Sequence, residues 1–179
     1  MPFDFSHLVN TIDEYSKELM SLIQTVRETT DLENRIISSG GYITGEDPTK
    51  KYLLPSIKSE VPYLDFSPLQ NAINRLGTSV TRLNNVFQNN IKANNASAAF
   101  NQSLYRAERQ LLIETGLPRR AWYKHSLYAP GFYTGYGVKT MPGIREAIEQ
   151  RNWKEAQDQI EVDAKALIKL AEYFNSLSS

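Results

Sequence analysis

The chain contains no cysteine among its 179 residues and only two histidines, His7 and His125. The absence of cysteine excludes a disulfide framework and thiolate chemistry. A zinc site needs three or four ligands in a local or convergent arrangement, and two distant histidines among scattered carboxylates do not suggest one. The sequence therefore predicts no metal site and no cofactor in this chain.

An excess of charge of either sign is also absent, because 20 Lys and Arg residues balance 20 Asp and Glu residues. A neutral chain does not favour nucleic acid or an anionic membrane as its partner. No apolar run reaches the length of a membrane span, and the N-terminus lacks the basic and apolar regions of a signal peptide. We expect a soluble chain that contacts neither nucleic acid nor a membrane directly.

Common catalytic motifs are missing too, since the sequence has no H-x-x-x-H, no C-x-x-C, no G-x-S-x-G and no phosphate-binding loop. His125 lies in an aromatic segment, where the pattern favours a structural histidine that is hydrogen-bonded within its loop. The alternative, a general base, lacks a visible nucleophile partner. We predict no catalytic residue, so this chain alone is not expected to be an enzyme.

Four segments instead show the three- and four-residue apolar spacing of amphipathic helices. The first begins near Ser6 and is predicted to run for about 22 residues. The second begins at Ser67-Pro68, the third begins near residues 94–97 and stops at Gly116, and the last comprises a short helix and a long one. The second helix carries a heptad seam that indicates a bundle core, with an intermolecular coiled coil as the alternative. Its members are Leu69, Ile73, Leu76, Val80, Leu83 and Phe87, and the long last helix has a stripe of Trp153, Ala156, Ile160, Ala164, Leu167, Ala171 and Phe174.

Because no segment shows a clear strand pattern, we predict an all-α, four-helix-bundle-like fold that forms a single domain over residues 1–179. Two long stretches interrupt the helices. One is a turn-rich excursion over about residues 30–66, and the other is a loop over about residues 118–142. Loops of this length without secondary structure are uncommon, and ordered ones are usually functional. If the second loop is ordered in the isolated chain, we expect Trp122, Tyr123 and Tyr128 to hold its base in the core.

Two N-x-Ser triplets, at Asn95 and Asn101, are candidate glycosylation sites. They are glycan acceptors only if the chain enters the secretory pathway. Such triplets also arise by chance in a segment as rich in asparagine as this one.

The second loop and its flanks carry a series of short motifs in a fixed order. The motifs are Gly116-Leu117-Pro118, Tyr123, Lys124-His125, Tyr128-Ala129-Pro130, Tyr136 and Pro142-Gly143-Ile144. This series closely resembles the C-terminal domain of the glutamate carboxypeptidase II family, which is a transferrin receptor-like dimerisation domain. The opening Met-Pro-Phe-Asp also resembles the junction at which the family's dimerisation domain follows its peptidase domain. The resemblance therefore covers nearly the whole chain, and it favours a piece excised from a longer parent.

The resemblance implies a homodimerisation module that also contacts the peptidase domain of its parent. That parent would be a type II membrane protein with this domain on the luminal or extracellular side. Zinc would be bound in the peptidase domain, and none of its ligands would lie in this chain. The parent would then be a zinc-dependent carboxypeptidase.

In the family, the loop equivalent to residues 131–141 reaches the active site, where a Lys-Tyr pair contacts the side-chain carboxylate of a C-terminal glutamate. By this resemblance, Tyr136 takes the place of the tyrosine and Gly135 the place of the lysine. The positive charge that would pair with glutamate is thus missing, and Lys139 is the candidate substitute. These three residues are the substrate-binding residues implied for the parent.

Two alternatives remain open from the sequence. The chain could be a stand-alone helical adaptor that binds a separate partner protein through the loop. It could also be the dimerisation domain of a catalytically dead, receptor-like homologue, because the transferrin receptor itself carries this domain without peptidase activity.

Overall fold

The structure is a computed structural model that describes residues 4–41, 55–92 and 98–178, with the backbone alone for residues 90–92. The described residues form five α-helices, one short 3₁₀ helix and one two-stranded antiparallel sheet. In chain order these are α1 (Ser6–Ser38), α2 (Ser67–Lys92), α3 (Ala98–Tyr105), the 3₁₀ helix (Ala107–Leu111), β1 (Tyr128–Pro130), β2 (Val138–Thr140), α4 (Pro142–Glu149) and α5 (Trp153–Leu177). They fall into two compact units, one of Met1–Leu19 with Leu64–Ser179 and one of Met20–Tyr63.

The predicted all-α class is confirmed, and the one departure is the short strand pair inside the second loop. β1 and β2 pair in the register Tyr128↔Thr140, Ala129↔Lys139 and Pro130↔Val138. Strands of three residues are too short to show an alternating pattern, so they could not be predicted from the sequence. The loop predicted over residues 118–142 is therefore partly a hairpin.

The first helix is longer than predicted, because α1 continues to Ser38 and has 33 residues. The turn-rich excursion accordingly begins after Ser38 and not at residue 30. No glycine or proline interrupts the helix before Gly40. Gly40 has a left-handed φ of 72°, and the N–H groups of Gly40 and Gly41 donate to the carbonyls of Ile37 and Ile36. This is the usual way in which glycine ends a helix. Residues 42–54 of the excursion lie outside the described residues.

The third helix is shorter than predicted, since α3 ends at Tyr105 and a 3₁₀ turn follows. Gly116, which we expected to stop that helix, instead lies in a later turn with a φ of 70°. The short and long helices predicted at the end of the chain are confirmed as α4 and α5. Asn152 caps α5 by accepting a hydrogen bond from the N–H of Glu155.

The same tripeptide, Asp-Phe-Ser, begins both α1 and α2. In each case the aspartate side chain accepts a hydrogen bond from the serine N–H, at 2.8 Å for Asp4 and Ser6 and at 2.9 Å for Asp65 and Ser67. These bonds to serine lower the pKa of both carboxyl groups. The sequence analysis predicted that these helices begin at the serines, and the side chains that accept the hydrogen bonds there are those of the aspartates two residues earlier.

The larger unit has its core between α5 and the helices packed against it. All six members of the α2 seam are buried, which confirms the bundle-core interpretation of that heptad pattern. The α5 stripe is buried from Ala156 to Phe174, and Phe5 brings the start of α1 against Phe174 at a ring distance of 4.8 Å. α4 packs closely on α5, because a side chain at Gly143 would overlap the Gln159 side chain. This packing fixes the position of α4 and α5, from which the second loop projects.

In the smaller unit, Asn34 of α1 binds the extended segment after residue 54. Its side-chain amide donates to the carbonyl of Lys58 and accepts from the N–H of Lys58, both at 2.9 Å. Lys58 also pairs with Glu33. These bonds hold the segment around Lys58, which forms neither helix nor strand, against α1 within the same unit.

Candidate functional site

The base of the second loop is held by a buried ion pair between Arg120 and Glu146 of α4. Arg120 is 2% exposed and Glu146 is 4% exposed. One guanidinium nitrogen, Nη2, donates to both carboxylate oxygens, at 2.8 and 2.7 Å. Additional hydrogen bonds to such a pair offset part of the cost of burying its two charges.

Further hydrogen bonds from the pair go to the loop itself, whereas Nε of Arg120 has no hydrogen-bond partner among the described residues. Nη1 of Arg120 donates to the carbonyl of Pro130, and Oε1 of Glu146 accepts from the N–H of Phe132 at 2.8 Å. The ion pair therefore holds the backbone on both sides of Gly131, where β1 ends and the tip of the hairpin begins. Nothing in the sequence spacing pointed to this pair, because its members are 26 positions apart.

The turn that leads into the loop depends on glycine. Gly116 has a left-handed φ, and a Cβ there would lie 2.2 Å from the carbonyl oxygen of Ala121. Arg119 follows, also with a positive φ, and makes two bonds of 2.8 Å to the carboxylate of Glu155 in α5. The start of the loop is thus fixed to α5 and its middle to α4.

The tip of the hairpin, residues 131–137, is closed by its own backbone. The N–H of Gly131 donates to the carbonyl of Gly137 at 2.8 Å, and the N–H of Gly135 donates to the carbonyl of Gly131 at 3.0 Å. Gly135 has a φ of 64°, and no atom lies within 4 Å of the position that its Cβ would take. The tip is therefore a defined turn that projects away from its own unit.

The predicted site residues take two different positions. Tyr136 is fully exposed, at 102% of its reference area, beside Gly135 at the tip. Lys139 lies on β2, where its Nζ atom is 2.6 Å from Oε1 of Glu149 in α4. The structure thus brings Gly135 and Tyr136 together at the tip, whereas the charge of Lys139 is paired at the base.

The aromatic side chains expected to hold the base in the core do not do so. Trp122 is 74% exposed, and Tyr123 and Tyr128 are also exposed. That expectation was wrong, because the base is held by the ion pair of Arg120 and by backbone hydrogen bonds. Aromatic side chains in a loop usually pack against another apolar surface. The sequence alone does not say whether that surface belongs to the same domain or to a partner.

His125 is hydrogen-bonded within the loop, as the sequence predicted. Its Nδ1 atom accepts from the N–H of Leu127 at 3.2 Å, and its ring lies 4.0 Å from that of Tyr128. The Tyr128 hydroxyl donates to Oε1 of Glu108 at 2.6 Å, which raises the pKa of Tyr128. Burial lowers the pKa of His125, and the nearby charge of Glu108 opposes that effect. His125 is therefore neutral at pH 7, and Glu108 is the member of this cluster that sequence reasoning missed.

This cluster forms the polar end of a half-open cleft of about 630 Å³ with mainly apolar walls. The apolar walls come from the start of α1, the 3₁₀ helix and the end of α5, through residues such as Leu8, Leu111 and Phe174. A cleft of this size accommodates apolar side chains or a small molecule.

Neither a metal cluster nor a membrane span is found in the part of the chain that the structure describes. No three His, Asp or Glu residues gather there in an arrangement that could hold a metal ion. None of the helices described is long and apolar enough to cross a membrane. Of the two candidate glycosylation sites, Asn101 is exposed on α3, and Asn95 lies outside the described residues.

Comparison with known proteins finds relatives that are named as glutamate carboxypeptidases or as a zinc metalloprotease. A "Probable glutamate carboxypeptidase" of Arthroderma benhamiae is 32% identical over 124 residues, which is 68% of this chain and 17% of the relative. A "Probable glutamate carboxypeptidase" of Arabidopsis thaliana is 34% identical over 104 residues, which is 54% of this chain and 15% of the relative. An "Inactive zinc metalloprotease" of Schizosaccharomyces pombe is 28% identical over 108 residues, 58% of this chain and 14% of the relative. The chain thus spans less than a fifth of the length of these relatives.

The matching family model is that of the transferrin receptor-like dimerisation domain, and the match covers residues 64–175. This range includes α2, the whole second loop and nearly all of α5. It also includes the series of loop motifs on which the resemblance was based, from Gly116 to Ile144, whereas the opening Met-Pro-Phe-Asp lies outside it. The chain therefore belongs to the transferrin receptor-like dimerisation domain family.

Proposed function

We propose that this chain is the self-association module of a longer glutamate carboxypeptidase-like protein, in which its partners are a second copy of itself and the peptidase domain. Membership of a dimerisation family supports self-association. The greater length of the relatives supports a longer parent. Closed two-fold symmetry is the commonest arrangement for such an assembly.

We further propose that the tip of the loop helps to form the substrate pocket of the parent. The observation that carries this proposal is a fully exposed tyrosine on a turn whose base is fixed by a buried ion pair. Phe132, Tyr133 and Val138 are exposed beside it, so the tip presents a mainly aromatic surface. An exposed apolar group of this kind usually marks a contact site.

Within that pocket, Tyr136 would act through its hydroxyl as a neutral hydrogen-bond donor to a substrate carboxylate. Gly135 would contribute close approach of the backbone, because nothing lies within 4 Å of its Cβ position. Lys139 would be a poor source of positive charge for the substrate while Glu149 holds it at 2.6 Å. Glutamate recognition through this loop would therefore depend on Tyr136 and not on a lysine.

The test of the pocket is Tyr136→Ala, made both in this chain and in the longer protein. Loss of one hydrogen bond to a charged group costs about 1.5–3 kcal/mol, so KM for an acidic dipeptide should rise roughly ten- to a hundredfold. Tyr105→Ala removes a similarly exposed tyrosine from α3 and is the matched control, for which KM should not change. An unchanged KM in Tyr136→Ala would contradict the pocket assignment.

Self-association is tested separately, by light scattering on this chain at micromolar concentration. The expected mass is twice the 20.4 kDa of one chain. An interface that is stable at this concentration should bury well over ~1,000 Å² in total. A monomer at all accessible concentrations would contradict dimerisation by this domain alone.

The remaining parts of the proposal concern the parent. It would be a type II membrane protein with this domain on the luminal or extracellular side, and its peptidase domain would hold zinc. Glycans at Asn95 and Asn101 would be consistent with that location. Mass spectrometry of the parent from its native source tests the glycans, and metal analysis of the purified parent tests the zinc.

A second candidate is the dimerisation domain of a parent without activity. It is favoured by one observation, namely that a relative of similar identity is described as an inactive zinc metalloprotease. A purified parent that dimerises but neither binds zinc nor hydrolyses acidic peptides would support this second candidate over the first. A stand-alone adaptor is favoured by no comparison.

A further inference from the structure

One carboxyl group in the core of the larger unit has no visible partner. Asp163 of α5 is 1% exposed, in a helix face otherwise made of Ile160, Ala164 and Leu167. Neither of its carboxyl oxygens has a hydrogen-bond partner among the described residues. An isolated ionised carboxylate is very costly in such surroundings, so a group of this kind takes up a proton instead.

Another buried polar atom without a hydrogen-bond partner in the described part of the chain is Oε1 of Gln159, an acceptor one helical turn before Asp163. Side chains in a helix lean toward its N-terminus, and residues four apart share a face, so Asp163 leans toward Gln159. An un-ionised carboxyl group has an O–H that can donate to this acceptor, whereas a carboxylate has none.

Several charged groups of the larger unit pair with one another and not with Asp163. Glu18 of α1 pairs with Arg145, Lys17 of α1 with Asp13, Arg75 of α2 with Glu172, and Glu146 of α4 with Arg120. On α5 itself, Asp158 pairs with Lys154, and on the 3₁₀ helix Glu108 binds Tyr128. Burial is accordingly the one cause that raises the pKa of Asp163, and no charge contributes to the shift.

We propose that Asp163 is carried as the neutral acid in the folded core, where its O–H donates to the side chain of Gln159, and that its ionisation as pH rises is a built-in device that loosens the bundle. The device would make the domain most stable under mildly acidic conditions. It does not depend on the proposed role in a peptidase, because it concerns the core of this chain alone.

The sign of the pH dependence follows from the direction of the shift. A group whose pKa is higher in the folded than in the unfolded state contributes stability that is complete below the unfolded value. That contribution is lost as pH rises toward and through the folded value. For one proton, the melting temperature of a chain of this size should change by roughly 3–5 °C per pH unit.

The experiment compares thermal melting of the 179-residue chain with that of Asp163→Asn at a series of pH values from about 4 to 8. Asparagine has almost the same shape and cannot ionise, and its amide can donate to Gln159. The two melting temperatures should agree near pH 4, and the variant should become progressively more stable than the wild type as pH rises. Asp158→Asn is the matched control, because Asp158 lies on the same helix but is exposed. Its difference from the wild type should not grow with pH.

A difference between wild type and Asp163→Asn that does not change with pH would overturn the proposal, as would a variant less stable than the wild type at pH 8. If the variant does not fold, carbon-13 NMR of aspartate-labelled wild-type chain decides the question. One aspartate carboxyl carbon should keep the chemical shift of the neutral acid at pH values where the others have ionised. Titration of every aspartate carbon near pH 4 would equally overturn the proposal.

Discussion

The base and the tip of the second loop lie a few residues apart in sequence, but they are built in opposite ways. At the base, Arg120 and Glu146 bury two charges and bind the backbone at Pro130 and Phe132. At the tip, Tyr136 is fully exposed, and the hydrogen bonds that close the turn run between its own backbone groups. The base therefore depends on the rest of the domain, whereas the tip depends on the base. This difference separates residues that determine folding from residues that are free to recognise a partner.

The largest effect should come from Arg120→Ala, which breaks the base. Removing the arginine leaves the carboxylate of Glu146 buried without its ion-pair partner. Breaking a buried pair in this way costs about 3–5 kcal/mol, so the melting temperature should fall by roughly 6–20 °C. Differential scanning calorimetry measures the change. Arg119→Ala, which removes a half-exposed neighbour, is the control and should cost much less. Equal losses of melting temperature in the two variants would show that the buried ion pair contributes no more to stability than the half-exposed one.

Gly116→Ala should have the next largest effect, because it combines two costs. A left-handed φ disfavours alanine, and the added Cβ would lie 2.2 Å from the Ala121 carbonyl oxygen. Together these predict a loss of about 2–4 kcal/mol in the free energy of unfolding. Chemical denaturation monitored by circular dichroism gives the value. A loss below ~1 kcal/mol would mean that the turn adjusts freely and does not fix the start of the loop.

Gly135→Ala is the matched substitution at the tip, and it should cost less. Its φ of 64° is also left-handed, but the Cβ would meet no atom within 4 Å. The expected loss is the conformational cost alone, about 1 kcal/mol. The two losses in the free energy of unfolding should be measured under the same conditions. Their difference gives the cost of the steric overlap at Gly116. If Gly135→Ala is as damaging as Gly116→Ala, the tip is more tightly coupled to the domain than its contacts indicate.

Tyr136→Ala should have the smallest effect on folding. An exposed side chain without packing contacts contributes within about 0.5 kcal/mol, so the melting temperature of the isolated chain should not change measurably. Calorimetry checks this value. A drop of many degrees would show that the ring packs within the domain, and Tyr136 would then be withdrawn as a recognition residue.

The parts of the fold that the sequence predicted well are long and periodic. The α2 seam and the α5 stripe repeat over many turns, so each residue reinforces the pattern and the buried face is predictable. The ends of α1 and α3 were predicted less well. α1 runs through polar residues that carry no stop signal before Gly40, and α3 gives way to a 3₁₀ turn without one.

The presence of the loop was predicted from the sequence, but its structure was not. Its composition marked it as unusual, and the resemblance identified Tyr136 and Gly135, whose roles stay predictions. Its anchoring could not be foreseen, because Arg120 and Glu146 are 26 positions apart in the sequence and come together only in the folded chain. The aromatic residues were the more obvious anchors on hydrophobicity, yet Trp122 is exposed. The hydrophobicity of a ring favours its burial, but it does not say whether the ring is buried within its own domain or against a partner.

The hydrogen bond that closes the tip, from Gly131 to Gly137, has a consequence for how this domain can change over time. Because that bond and the ion pair below it hold the two ends of the turn, the residues between Phe132 and Gly137 can be exchanged without rebuilding the domain. Substitutions at these positions should therefore cost little in folding, and a foreign peptide grafted between them would be held at both ends by the same bonds.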